Sequence, residues 1–252
     1  MKKNILITGA TSGIGEAAAR TFAANNYNLI ITGRRQDRLE KLAEELRSIH
    51  NAEVLALCFD VRNKSEVLKN IASLQGNWAT IDVLLNNAGL ASGLGPIQSG
   101  ELDDWEKMID TNIKGLLYVT RAVTPLMIAR NSGHIINIAS LAGKEVYPNG
   151  NVYCATKHAV DALSRSMRID LLPHGIKVTN IAPGLVETEF SVVRFHGDKE
   201  RADNVYKGYQ PLTADDIADA IWYAASRPAH FCVNDMVLTP LAQANAYVVK
   251  KD

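Results

Sequence analysis

Tyr153 and Lys157, in the run Tyr153-Cys154-Ala155-Thr156-Lys157, stand four residues apart and share one face if the segment is helical. A phenol with its ordinary pKa near 10 is a poor base at neutral pH, and a neighbouring ammonium lowers it toward the working range. The pair can then exchange a proton with an alcohol or a carbonyl oxygen. Read alone, Tyr-x-x-x-Lys is common and more often marks an amphipathic surface pair, so its surroundings decide. Upstream, the apolar run His134-Ile135-Ile136-Asn137-Ile138 leads into Ser140, a hydroxyl suited to holding the reacting oxygen and sharing its developing charge. Cys154 lies about 100° around the helix from Tyr153 and has no histidine base arranged with it, so a cysteine nucleophile is rejected. None of the six histidines shows an H-E-x-x-H or similar spacing, and no metal is expected.

A hydride donor or acceptor is expected from the first turn. Thr8-Gly9-Ala10-Thr11-Ser12-Gly13-Ile14-Gly15 follows a short apolar run and opens a helical one. Gly9, Gly13 and Gly15 allow a tight turn and a close approach to a pyrophosphate, while the N–H groups of Thr11, Ser12 and Ile14 lie at a helix N-terminus that attracts anions. A purely structural turn is the alternative, but the strand–glycine–helix context favours a dinucleotide site. The second strand ends Thr32-Gly33-Arg34-Arg35, where an NAD site usually carries a carboxylate. Two guanidinium groups suit a 2′-phosphate instead, so Arg34 and Arg35 point to NADP(H). Alternatively, the arginines simply open the next helix, a poor place for cations.

These residues need a scaffold. Short apolar runs at 5–8, 29–32, 54–59, 83–86, 135–138, 178–181 and 236–238 alternate with helical stretches at 14–25, 36–49, 64–74, 103–130, 152–171 and 214–226. Leu39, Leu42, Ala43 and Leu46 form one amphipathic stripe, and Thr213 is placed to cap the last helix. Pro125 is expected to kink the long fourth helix. The alternation predicts an α/β Rossmann fold: one domain over 1–252, built on a doubly wound parallel sheet of about seven strands with helices on both faces. Residues 189–211 break the pattern and read as a substrate-binding loop or lid, or as an ordered helical insertion.

Composition narrows the partners. Of 252 residues, 47% are hydrophobic and 21% charged, and 27 Lys+Arg balance 27 Asp+Glu. The zero balance gives no electrostatic case for a nucleic acid or an anionic membrane. No run approaches a membrane span, and the first apolar run ends after Ile7, too short for a signal-peptide core. Cys58, Cys154 and Cys232 are odd in number and far apart, which argues against disulfides and for a cytoplasmic protein.

Four motifs in order carry a resemblance that spans essentially the whole chain: ITGATSGIG, NNAG at 86–89, Ser140 with Tyr153-x-x-x-Lys157, and Pro183-Gly184 with Thr188. The sequence resembles the short-chain dehydrogenase/reductase family. TGRRQDRL, NNAGLASGLGP, GHIINIAS, PGLVETEF and the stretch 191–198 resemble its NADP-dependent 3-hydroxy acid dehydrogenase branch, which acts on L-allo-threonine, serine and 3-hydroxypropionate. The resemblance implies that Asn112 holds water linking Lys157 to solvent; bridging backbone groups is its structural alternative. It implies that Asp60 binds adenine with a backbone contact from Val61, unless Asp60 caps the third helix, and that Asn86 lies against the adenosine ribose beside Ala88 and Gly89. Pro183, Gly184, Val186 and Thr188 are implied on the nicotinamide side, with Tyr153 and Lys157 also touching the cofactor. A homotetramer is implied too, paired through the fourth and fifth helices, with the apolar segment 241–249 packing on a neighbour.

A hydroxy acid needs a cation for its carboxylate. Arg194 lies in the apolar loop after Thr188, where a charge is costly unless paired. It is the first candidate; a salt bridge to Asp198 or Glu200 is its alternative role, and Lys144 is a second candidate clamp. The expected reaction is reversible, NADP-linked oxidation of small 3-hydroxy acids to 3-oxo acids or semialdehydes. A broader carbonyl or dicarbonyl reductase is the alternative, and a non-catalytic NADP sensor is disfavoured by the intact proton-transfer residues.

Overall fold

The computed structural model describes residues 2–252. Seven strands, β1 (Asn4–Ile7), β2 (Asn28–Gly33), β3 (Val54–Cys58), β4 (Val83–Asn86), β5 (Gly133–Ile138), β6 (Ile176–Pro183) and β7 (Asp235–Leu238), form one sheet in the order β3-β2-β1-β4-β5-β6-β7. Every pairing is parallel. The order reverses between β1 and β4, so a crevice opens at their carboxyl ends.

Alternation along the strands explains the two apolar layers. Ile5, Ile7, Leu29, Ile31, Val83, Leu85 and Ile136 face one layer with α1 (Gly13–Ala24), α2 (Gln36–His50) and α9 (Ala214–Ala225). Leu6, Ile30, Leu84 and Ile135 face the other, packed by α3 (Lys64–Ala72), α5 (Leu116–Ile128) and α6 (Asn151–Leu171). On the first face Phe22, Tyr27 and Trp222 meet edge to face, with centroids 5.1–5.9 Å apart. Leu39, Leu42, Ala43 and Leu46 are all buried, as their helical stripe predicts. Thr213 caps α9 in a reciprocal capping box with Asp216.

The fourth helical stretch departs from expectation. α4 (Leu102–Ile109) passes into a π-helical turn at Asp110–Gly115 before α5 begins. α5 contains Pro125 and continues to Ile128, and the wide turn is a second irregularity in the same stretch. Such a turn inserts a residue into the helical ladder and is frequent at functional sites; here it buries Thr111 and Asn112. Residues 189–211 fold as an ordered insertion containing α7 (Phe190–Arg194) and α8 (Lys199–Tyr206). No helix among the described residues is long and apolar enough to cross a membrane.

Candidate active site

A cavity of about 350 Å3 lies along the carboxyl ends of the strands. Its first wall is the turn between β1 and α1. Gly9 (φ +67°) and Gly13 (φ +56°) occupy the left-handed region, and a Cβ on Gly9 would stand 2.9 Å from Ala88 Cα. Thr11, Ser12, Gly13 and Ile14 line the cavity, whereas Gly15 faces the loop, where a Cβ would meet Gly9 O at 2.5 Å. Ser12 precedes α1 without capping it by its side chain, leaving first-turn N–H groups for an anion.

Arg35 lies across this turn. Its Nη2 donates to Thr11 Oγ1 at 2.8 Å and Ser12 Oγ at 2.9 Å, and its Nη1 donates to Glu189 Oε2 at 3.0 Å. Arg38 donates to the same carboxylate at 2.8 Å. Arg34 is freer, 58% exposed and 3.9 Å from Asp60. Burial alone would raise the Asp60 carboxyl, but hydrogen bonds from Arg62 outweigh it and hold it below the ordinary carboxylate range. Asp60 does not cap α3; Asn63 does, accepting from Ser65 N and Glu66 N. Asp60 and Val61 both line the cavity.

The segment after β4 corrects one expectation. Asn86 is buried, donates to Thr120 Oγ1 and Asn137 Oδ1 at 2.9 Å each, and does not reach the cavity. Its neighbour Asn87 lines the cavity and ties the turn by donating to Thr8 O and Gly9 O. Strand alternation makes consecutive residues face opposite ways, so a motif match alone does not say which asparagine faces the crevice. Ala88 and Gly89 line the cavity, and a Cβ on Gly89 would lie 3.3 Å from Asn112 Oδ1 and 3.4 Å from Lys157 Nζ. Asn112 accepts from Leu90 N (2.9 Å) and donates to Leu90 O (2.8 Å) and Thr156 Oγ1 (3.0 Å). It therefore bridges backbone groups beside Lys157.

Ser140, at the end of β5, accepts from Ala142 N at 3.1 Å and donates to Pro183 O at 3.3 Å. Tyr153 and Lys157 are buried on one face of α6, with Lys157 Nζ 5.9 Å from the Tyr153 ring centroid and donating to Ile138 O at 2.8 Å. Burial sets both pKa values. It pushes the Tyr153 phenol above its ordinary range, an effect that Tyr147 reinforces and that the Ser140 hydroxyl and Arg194 partly oppose. It lowers Lys157 to about 8. The Cys154 thiol is buried and raised by that burial, which leaves it unreactive.

Pro183, Gly184, Val186 and Thr188 form the opposite wall. Thr188 packs on Gly13, whose Cβ would come within 3.3 Å of it, and accepts from Phe190 N. Arg194, on α7, donates to Tyr147 Oη at 2.8 Å and stacks 5.4 Å from the Tyr147 ring centroid and 5.6 Å from that of Tyr153. Among the described residues no Asp or Glu oxygen lies within 4.0 Å of its guanidinium, and Asp198 instead caps α8. Lys144 does not reach the cavity: it is spent on Asp161 (2.5 Å) and Asp235 (2.7 Å). Glu189 and Phe190 open the 189–211 segment expected to bind substrate, whereas Tyr147 was not legible from sequence, since no spacing marks it as the partner of Arg194.

The residues fit a dinucleotide: two left-handed glycines, uncapped N–H groups at α1, two arginines past β2, and Thr111 Oγ1, which lines the cavity without a hydrogen-bond partner of its own. The remaining groups can hold an oxygen (Ser140), move its proton (Tyr153) and bind an anion (Arg194).

Comparison with known proteins agrees with this geometry. A family model described as short chain dehydrogenase matches residues 3–198. The chain is 49% identical over 243 residues to the NADP-dependent 3-hydroxy acid dehydrogenase YdfG of Salmonella typhi, covering 96% of each. It is 45% identical over 254 residues to sulfoacetaldehyde reductase 2 of Chromohalobacter salexigens, covering 100% of each. Its fold superposes on the closed form of a serine dehydrogenase complexed with NADP+ with a TM-score of 0.93, at 45% identity and 99% coverage of each chain.

Proposed function

The chain belongs to the short-chain dehydrogenase family, and as an NADP(H)-dependent oxidoreductase acting on CH–OH groups it takes, we propose, small 3-hydroxy acids as substrates. Serine, L-allo-threonine and 3-hydroxypropionate are the substrates proposed, with the corresponding 3-oxo acids or semialdehydes as products. The observation that carries this reading is Arg194, a cation beside the Tyr153 ring with no carboxylate of its own. A substrate carboxylate supplies the missing partner.

Bound NADP+ supplies the hydride acceptor. Ser140 holds the reacting oxygen by hydrogen bonding; in reduction the Tyr153 phenol gives its proton to the carbonyl oxygen, and in oxidation the Tyr153 phenolate takes the hydroxyl proton back as hydride leaves the carbon. Lys157 would hold the cofactor ribose, and it places its amine 5.9 Å from the centroid of the Tyr153 ring. Asn112 fixes the backbone at Leu90 beside Lys157. Arg34 and Arg35 take the 2′-phosphate, Asp60 and Val61 the adenine end. Residues 189–211 serve as the lid that carries Arg194, within a single domain spanning 1–252. Exposed Leu241, Tyr247 and Val248 support the proposal of a homotetramer packed through the 241–249 segment; sedimentation as a monomer would refute it.

A second reading keeps the same chemistry with a different anion. A guanidinium also binds a sulfonate, and one relative is named for sulfoacetaldehyde. The test is a panel read by NADPH absorbance: 3-hydroxypropionate, serine, their semialdehydes, sulfoacetaldehyde, and the neutral ester methyl 3-hydroxypropionate. Higher kcat/KM for carboxylated members supports the reading, and equal values for acid and ester overturn it.

A further inference from the structure

The turn that carries Arg194 is held by something other than its own helix. α7 has five residues, too few to be stable alone. It ends at Phe195, and the chain then enters the left-handed region at His196 (φ +54°) and Gly197 (φ +93°). Glycine is favoured at such a position, and asparagine, aspartate and histidine are the side chains that most often tolerate it. Histidine at 196 fits that backbone and brings an imidazole to the edge of the turn. Its Nε2 lies 3.1 Å from Asp104 Oδ2, in the first turn of α4.

Asp104 is a buried carboxylate on the rigid scaffold, 5% exposed. Its other oxygen accepts from Ser92 Oγ at 2.6 Å, and Lys107 Nζ stands 3.5 Å away. Burial would raise this carboxyl, but Ser92, His196 and Lys107 together hold it below its ordinary value, so it is a fixed negative charge. Next to it, Gly93 N donates to Arg194 O at 2.9 Å. One edge of the Arg194 turn is thus stitched to the loop after β4 by backbone, and the other by the His196 imidazole.

We infer that His196 and Asp104 form a positioning pair that fixes the Arg194 turn against the β4–α4 loop and so sets the place of the substrate carboxylate. The inference rests on the reading of Arg194 as the carboxylate site. The pair borders a second cavity of about 230 Å3, which shares Tyr153 and Arg194 with the first, and His196 is 57% exposed. Substitution at 196 therefore alters a cavity edge and leaves the packed core untouched.

Two variants separate the side chain from the backbone. His196→Asn keeps a residue that tolerates positive φ but is too short to reach Asp104; His196→Gln places an amide N–H close to the imidazole Nε2. The expected result for His196→Asn is a KM for 3-hydroxypropionate raised about fivefold, the scale of a partly exposed charged contact. Its kcat, and both constants for methyl 3-hydroxypropionate, stay within about twofold, and His196→Gln returns KM toward the parent value. An unchanged KM in His196→Asn overturns the inference, as does an equal loss on acid and ester, which marks a general structural role. If the parent enzyme itself does not prefer acid over ester, the reading of Arg194 fails instead, and the two failures are told apart by that control.

Discussion

Arg194 donates to the Tyr147 phenol oxygen at 2.8 Å while its guanidinium faces the Tyr153 ring. The cation is thus aimed by an uncharged partner, which leaves its charge available to an anionic ligand. Arg194→Ala is expected to raise KM for serine or 3-hydroxypropionate roughly 10- to 100-fold, the loss of one or two charged hydrogen bonds. A matched neutral alcohol should change little. Initial-rate kinetics on both substrates check this, and equal effects would remove the clamp.

Tyr153→Phe keeps the ring that packs edge-on against Phe190, with centroids 5.6 Å apart, so the fold should survive. What disappears is the hydroxyl proposed to carry the proton. Turnover is expected to fall about 10²- to 10⁴-fold. NADPH affinity, read by fluorescence titration, should stay near the parent value.

Arg34 and Arg35 sit differently, and their substitutions should differ accordingly. Arg35 is committed to Thr11, Ser12 and Glu189, whereas Arg34 has, among the described residues, only Asp60 at 3.9 Å. Arg34→Ala should weaken NADPH roughly tenfold or more, as expected for losing a charge-assisted phosphate contact, and NADH hardly at all. Isothermal titration with both cofactors decides it; equal weakening would defeat the phosphate assignment.

His134 makes stability depend on pH. Thr179 Oγ1 donates to Val233 O, so it accepts from the His134 Nε2–H at 2.7 Å, which fixes the neutral tautomer. Burial lowers its pKa to about 3, against about 6.5 when unfolded. Between these values the unfolded chain binds more protons, so stability falls as pH drops through the window, by at most about 1.4 kcal/mol per pH unit. His134→Gln, which retains the donor, should show a shallower fall in urea midpoint from pH 6.5 to 4.5. Parallel curves for variant and parent would refute the assignment.

Much of this was legible in sequence because it is local. Continuous apolar runs such as 29–32 mark strands covered on both faces, and the 39/42/43/46 stripe marks α2. Glycine spacing after β1 reads correctly because φ > 0 is a property of the residue itself. Contacts set by tertiary packing did not read. Lys144 looked free in sequence but meets Asp161, seventeen residues later, and Asp235 from β7. Nor does a sequence pattern reveal which of Asn86 and Asn87 faces the crevice, or that the helical ladder widens at Asp110–Gly115, well before Pro125.

The reversal of strand order between β1 and β4 divides labour along the sheet edge. The residues proposed for phosphate and adenine recognition lie at the ends of β2 and β3, while those proposed for proton transfer and anion binding lie on β5, α6 and the chain after β6. Among the described residues no hydrogen bond or ion pair joins Arg34 to the Arg194 turn, so the free-energy costs of Arg34→Ala and Arg194→Ala should simply sum in the double variant. A fold arranged in this way lets selection redraw what is oxidised without disturbing which currency of reducing power is read.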